Sequence, residues 1–291
     1  MNRRQKPCML NIGCGYRYHP DWVNIDIVAH GKDVIACDVS KGIPFPDESC
    51  DVVYHSAVLE HIRSEAAGDF LRDCCRVLRP KGVLRVGVPD LEGVCRLYLE
   101  KLNAAINGDP AAIRDYEWLM LEMLDQMVRE QSGGKMLEYL KQDPLPNEDF
   151  VYGRIGLEGK HIVRSLRRKE SPCSPVGLRQ MARDSIDRLK SLPGKIGDRF
   201  VRLILGRKAY AAYEVGRFRT GGEAHQWMYD RLSLARLMVA TGFEEPVQVS
   251  ATESRIPDWT SFELDSTSDG TIVKPDLLYM EAVKPASPQI L

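Results

Sequence analysis

Within the first ninety residues, short and almost continuous apolar runs alternate with polar turns. The runs are Cys8–Ile12, Trp22–Ile25, Val34–Cys37, Cys50–His55 and Val83–Val88. Runs of this length without strict alternation are the pattern of strands buried on both faces, as in a parallel sheet covered on either side. Between the last two, Phe70, Leu71, Cys74, Val77 and Leu78 recur at three- and four-residue spacing and predict a helix over roughly 65–78. Ser64 is its expected N-cap, and Pro80 with Gly82 its expected stop. Strands separated by crossovers of this kind predict an α/β fold with a doubly wound sheet.

The grammar changes after Glu92. Helical periods run over Val94–Ile106 and over Pro110–Val128, the second with Asp109 as cap and Pro110 in the first turn. Gly133-Gly134 breaks the pattern and a loop runs through Pro144, Pro146 and Asn147. A further helix is expected from Ser174-Pro175 and another over Asp198–Arg207. The last seventy residues return to α/β grammar: Asp230 caps a helix to Val239, Gly242 stops it, and strands follow at Val247–Ser250 and Leu277–Val283. The expected organisation is a sheet domain in two pieces, 1–92 and 223–291, split by a helical insertion over 93–222. An insertion of that length is a lid or an acceptor-binding subdomain rather than a loop.

Composition narrows the class. Of the 291 residues, 44% are hydrophobic and 28% charged, which excludes collagen-like and disordered chains. No stretch reaches the ~20 apolar residues of a spanning helix. No apolar segment follows the basic start Met1–Lys6, so no signal peptide is expected. The eight cysteines form no CxxC pair, which predicts reduced thiols in a cytoplasmic protein and no zinc site built on them. The net charge of −1 hides an asymmetry. Residues 160–219 hold 16 Lys/Arg against 5 Asp/Glu, or +11, so the rest carries −12.

The chemistry concentrates in three motifs. Leu10-Asn11-Ile12-Gly13-Cys14-Gly15 closes the first strand, and its two glycines let the backbone turn sharply and approach a ligand closely. Val23-Asn24-Ile25-Asp26 places a carboxylate at the tip of the second strand, where it can accept both hydroxyls of a ribose. Only 11 residues separate Gly15 from Asp26, so the helix between them must be truncated, with Tyr18–Asp21 replacing most of it. The third motif runs from Ala36-Cys37-Asp38-Val39 through Ile43-Pro44-Phe45-Pro46 to Val58-Leu59-Glu60-His61, and is followed by Arg76-Val77-Leu78-Arg79-Pro80-Lys81-Gly82.

In order and spacing, residues 9–90 resemble the class I S-adenosylmethionine-dependent methyltransferases of the small-molecule type. The resemblance implies a Rossmann-like, seven-stranded sheet whose last strand, Leu277–Val283, inserts antiparallel beside the fifth. It also implies S-adenosylmethionine as co-substrate, held by Asn11, Gly13, Cys14, Gly15, Asp26, Asp38, Val39, His55 and Ser56. Gly13 and Gly15 would pass under the methionine part and the ribose, Asp26 would hold the ribose hydroxyls, and Asp38 the adenine amino group with Val39 beside it. His55 and Ser56 would line the methionine end. Asn11 stands where the family has an acid, and its amide oxygen can still accept from the ligand ammonium.

Gly221-Gly222-Glu223-Ala224-His225-Gln226-Trp227-Met228-Tyr229-Asp230 is similar to a segment of bacterial methyltransferases found with sugar and polysaccharide biosynthesis proteins. The resemblance implies direct methyl displacement onto an oxygen of a sugar-containing or other polar acceptor. His225 is the first candidate for general base, with His55 and His61 after it, and Trp227 and Tyr229 are candidates to stack on the acceptor. N- or C-methylation of a natural product or lipid, and a non-catalytic binding protein on the same fold, stay open. No metal is expected. Glu60-His61 reads as the start of the following helix, and Ala57 stands where metal-dependent members have a second acid. Asp125 and Arg129 are expected as a surface ion pair. The basic residues 160–219 are expected either as a solvated face or as a receiver for an anionic acceptor, such as a phosphate-linked glycan, or a membrane surface. With no recognised binding motif beside the charge, no nucleic acid is expected.

Overall fold

A computed structural model describes residues 7–168 and 192–286, with the backbone alone at 168 and 192–201. The expected helix start at Ser174-Pro175, the side chains of Arg168, Lys169, Arg179, Arg183, Leu189, Leu192 and Phe200, and Cys173 lie outside the described parts. The strands are β1 (Met9–Ile12), β2 (Val23–Asp26), β3 (Val34–Ala36), β4 (Cys50–Ser56), β5 (Leu78–Pro89), β6 (Glu244–Val249) and β7 (Leu277–Val283). Their spatial order is β3-β2-β1-β4-β5-β7-β6, with parallel pairing from β3 to β5 and β7 antiparallel to both neighbours. This is the expected seven-stranded, doubly wound arrangement, and it places the strand-order reversal between β1 and β4.

The two faces of the sheet are covered differently. On one, Leu10, Ile12, Val53, Leu84 and Val86 pack beneath α1 (Ser64–Val77) and α7 (Arg231–Ala240), with Phe70, Leu71, Leu234 and Met238 as knobs. The other carries Met9, Val52 and Tyr54 under Trp22, Ile256, Trp259 and Leu264. The crossovers β1–β2 and β2–β3 carry no helix, so an edge-on aromatic cluster from residues 256–264 closes this face instead. Arg85 crosses it from below. Fully buried, it pairs with Asp265 and Glu281 at 2.8 Å each and lies 4.3 Å from the Trp259 ring.

Between β5 and α7 run α2 (Leu91–Ile106), α3 (Pro110–Val128), α4 (Gly134–Leu140), α5 (Glu148–Arg168) and α6 (Leu192–Arg219). Asp109 caps α3 by accepting from the Ala111 and Ala112 amides, as its sequence demands. Trp118, Leu140, Leu145, Val151 and Val163 form a separate core for these helices.

Several local expectations are corrected. Arg63, not Ser64, holds the cap position of α1, and Pro80 and Gly82 lie inside β5, whose register slips between Cys50 and Val52. The expected loop through Asn147 is followed directly by α5, a helix the sequence did not predict. Its glycines hide the helical period, and Gly156, at φ 57° and ψ −145°, kinks it. Pro193 and Gly194 lie in α6, whose described residues begin at Leu192. Asp125 and Arg129 are not a surface pair. Both are buried, because Asp125 also accepts from the Lys135 and Met136 amides and so caps α4.

Removing Arg85 strands two buried carboxylates. Arg85→Ala is expected to lower the unfolding free energy by about 3–5 kcal/mol, measured by urea denaturation; a loss under about 1 kcal/mol would show the charges to be solvated.

Candidate active site

A cavity of about 1050 Å³ opens at the carboxyl ends of β1, β2 and β4. Gly13, Asp26, Asp38, Val39, Ala57, Val58, His61 and the return loop at Gly221-Gly222 line it. The turn after β1 is tied to β2 by three amides. Gly13 and Cys14 donate to the Ile25 carbonyl at 2.8 and 3.2 Å, and Gly15 donates to Asp26 Oδ2 at 2.8 Å. Asp26 Oδ1 accepts from the Val28 amide, so the carboxylate is fixed while lone pairs remain for a diol. Gly13, at φ 65°, has Val58 Cγ2 only 2.3 Å from where a Cβ would sit. Only glycine lets the chain run this close under a ligand.

Asp38 accepts from the amide and hydroxyl of Ser40 and pairs with Lys41 at 3.0 Å, and these partners hold its carboxyl below the usual range. Asn11 is buried and spends its amide group on Asn24 Oδ1 at 3.1 Å, while its own amide oxygen has no partner among the described residues. These features fit S-adenosylmethionine: a glycine cradle, an oriented carboxylate at the ribose position and an unused buried acceptor.

Deeper along the same wall stands a cluster of polar groups. Glu60 and His61 sit in a single helical turn just after β4, and His225 comes from the return loop between α6 and α7. The backbone fixes their meeting. The Gln226 and Trp227 amides donate to the Glu60 carbonyl at 2.6 and 3.3 Å, and the His225 amide donates to the Gln126 carbonyl at 3.0 Å. The His61 and His225 rings then meet edge to face with centroids 4.7 Å apart. Burial pushes the Glu60 carboxyl up to about 8, and burial first, then His61, brings His225 down to about 3. Around them lie the Lys274–Glu158 and Arg154–Glu122 ion pairs and the buried Asp276, pushed up to about 7 by burial and then by Glu122.

The structure brings Gly13, Asp26, Asp38, Val39 and His61 to one cavity and sets His225 against His61, outside the lining. It does not bring Asn11, His55 or Ser56 to the lining. His55 is fully buried under α1, edge-on to Phe70 at 5.2 Å, with neither ring nitrogen bonded and its basicity brought down to about 3 by burial. Cys14 and Gly15 belong to the turn but are absent from the lining. Tyr229 does not offer its ring for stacking. It belongs to the main core and bridges Asp90, whereas Trp227 is exposed. Sequence reasoning missed Asp276, Lys274 and Arg154, whose only signal was charge in a stretch with no periodicity.

Residues 21–86 match a family model described as a methyltransferase domain. The match begins after the glycine turn and covers β2 through most of β5. A probable S-adenosylmethionine-dependent methyltransferase of Mycobacterium tuberculosis is 32% identical over 100 residues, covering 28% of this chain and 35% of that protein. A second protein of that description, from Mycolicibacterium smegmatis, is 46% identical over 99 residues, covering 28% of this chain and 38% of its own. The chain thus spans little more than a third of the length of the curated relatives it matches. A SAM dependent methyltransferase from Archaeoglobus fulgidus superposes with a TM-score of 0.26 and 19% identity over 36% of this chain and 60% of that one. The family match and the two mycobacterial relatives support a class I S-adenosylmethionine-dependent methyltransferase.

Gly13→Ala must either abandon its left-handed backbone or displace Val58. A loss of about 1–2 kcal/mol in stability is expected from the backbone alone, read by thermal unfolding; an unchanged melting curve would show that the turn is not held at positive φ.

Proposed function

We propose that the chain is a methyltransferase that binds S-adenosylmethionine in the cavity between Gly13 and Val39 and methylates an oxygen of a small polar acceptor, a sugar-containing one being the preferred class. When bound, the co-substrate supplies a methyl group on a sulfonium. Gly13 and Gly15 shape its cradle, Cys14 backs the turn, Asp26 accepts the ribose hydroxyls, Asp38 with Val39 takes the adenine edge, and the Asn11 amide oxygen faces the ammonium.

One observation carries the acceptor side. His225, from a loop 164 residues away in sequence, meets His61, which itself lines the same cavity. A neutral His225 ring can accept the proton of an acceptor hydroxyl, and holding that hydroxyl in line is worth several kcal/mol of barrier. His55, sealed beneath α1, is withdrawn from this role. The free thiols Cys8, Cys14, Cys37, Cys50, Cys74, Cys75 and Cys95 support a cytoplasmic setting. N- or C-methylation is the alternative outcome of the same assay, since the cavity does not select the acceptor atom.

Asp26→Ala is expected to weaken S-adenosylhomocysteine binding by about 1–3 kcal/mol in calorimetry; equal affinity sinks the cofactor reading. In a labelled methyl-transfer screen against glycan and nucleotide-sugar fractions, His225→Ala should reduce turnover about 10²–10⁴-fold with cofactor affinity kept. Turnover within a few-fold of wild type would make His225 structural.

The basic segment supports a second element of the reading, contact with an anionic surface. Leu203 and Ile204 are 81% and 77% exposed on α6 beside Arg202, Arg207 and Lys208, a pairing of apolar and cationic groups suited to a lipid headgroup region. Arg167, in contrast, is taken up by Glu148 at 3.2 Å and Asp143 at 3.6 Å. No helix among the described residues is long and apolar enough to cross a membrane. Leu203→Glu with Ile204→Glu is expected to abolish co-sedimentation with anionic vesicles; unchanged sedimentation leaves α6 a solvated face.

A further inference from the structure

We infer that Glu60, His61 and His225 bind one divalent cation of the borderline, zinc-like class at the wall of the cofactor cavity. Two imidazoles and one carboxylate are a complete donor set for such an ion, and three protein ligands are the number a catalytic site uses while leaving a position open. One donor atom from each residue lies within 4.8 Å of the other two. Donors around zinc stand about 3.4 Å apart, from metal–ligand bonds near 2.1 Å and tetrahedral angles.

A second and independent observation points to a ligand here. Glu60 is 1% exposed and its Oε2 has no hydrogen-bond partner, the His61 Nδ1 beside it has none, and neither has the hydroxyl of the adjoining Tyr229. Buried polar atoms without partners are rare, and three at one spot call for an explanation. A single cation would satisfy the first two directly, and a water or hydroxyl bound to that cation would reach the third.

The surroundings suit an ion as well. The nearest cations are already committed, Lys274 to Glu158 at 2.9 Å and Arg129 to Asp125 at 2.8 Å. His61 lines the cavity with Gly221 and Gly222, which provides the entry path. The identity of the open ligand, an acceptor oxygen, rests on the methyl-transfer reading proposed above, with His225 then a ligand that positions the acceptor in place of a free base; binding of the metal does not rest on it.

The test uses the full chain, stripped of metal and titrated with zinc chloride by calorimetry. One site is expected, weakened at least tenfold by His225→Ala and by Glu60→Gln and left unchanged by His30→Ala, whose ring is exposed. S-adenosylhomocysteine binding on the same samples reports the cofactor reading separately and certifies that the variants fold. Pulsed electron paramagnetic resonance of the wild-type protein loaded with Cu²⁺ needs no variant and should count two imidazole nitrogens. No zinc binding, binding that both folded variants retain, or a copper site with fewer than two imidazoles overturns the inference.

Discussion

Everything on the cofactor side depends on the clasp between the turn after β1 and the tip of β2. Two amides, of Gly13 and Cys14, share the Ile25 carbonyl, and the next amide, of Gly15, holds the Asp26 carboxylate. Because β1 and β2 are paired neighbours, a turn that reached β2 in any other register would leave these donors unmet. The positive φ at Gly13 and Gly15 is what lets three successive amides point the same way. The carboxylate is therefore aimed by the backbone before any ligand arrives, and binding pays little to order it.

The cluster of Glu60, His61 and His225 is built on a different principle. Glu60-His61 belongs to the sheet domain and His225 to the chain returning from the helices, and no regular element carries all three. Main-chain bonds from Gln226 and Trp227 to the Glu60 carbonyl do the joining, so the relative position of the two histidines is set by backbone rather than by side-chain packing.

Much of the fold was legible in residues 1–90 because each strand is a compact apolar run and each turn has its own chemistry: Gly13-Cys14-Gly15, Asp26, Asp38. The antiparallel insertion of β7 came from resemblance and not from its residues, which would suit either direction. The insertion was read less well. Gly153, Gly156 and Gly159 mask α5, and Asp125–Arg129 looks solvent-facing in a helical wheel that cannot include α4. The separation of His55 from the site was equally hidden. Its place at the end of β4 is where ligand-facing residues belong, but side chains alternate across a strand, and His55 falls on the α1 side with Val53. His225 was legible as a candidate from its motif, whereas its meeting with Glu60 and His61 was not, since nothing in one sequence links positions 60 and 225.

The bridge between Asp90 and Tyr229 has a consequence for how such a chain can change. Leu91 donates to the Tyr229 carbonyl at 3.1 Å, so the backbone entering α2 and the backbone arriving at α7 run side by side. The helices between them leave and re-enter the sheet domain through one doorway. A segment whose two ends already touch can be lengthened, shortened or exchanged without moving a strand. The sheet domain is thereby insulated from changes in the helices, and a lineage built on this plan can remodel the insertion while keeping the glycine turn, Asp26 and Asp38 in place.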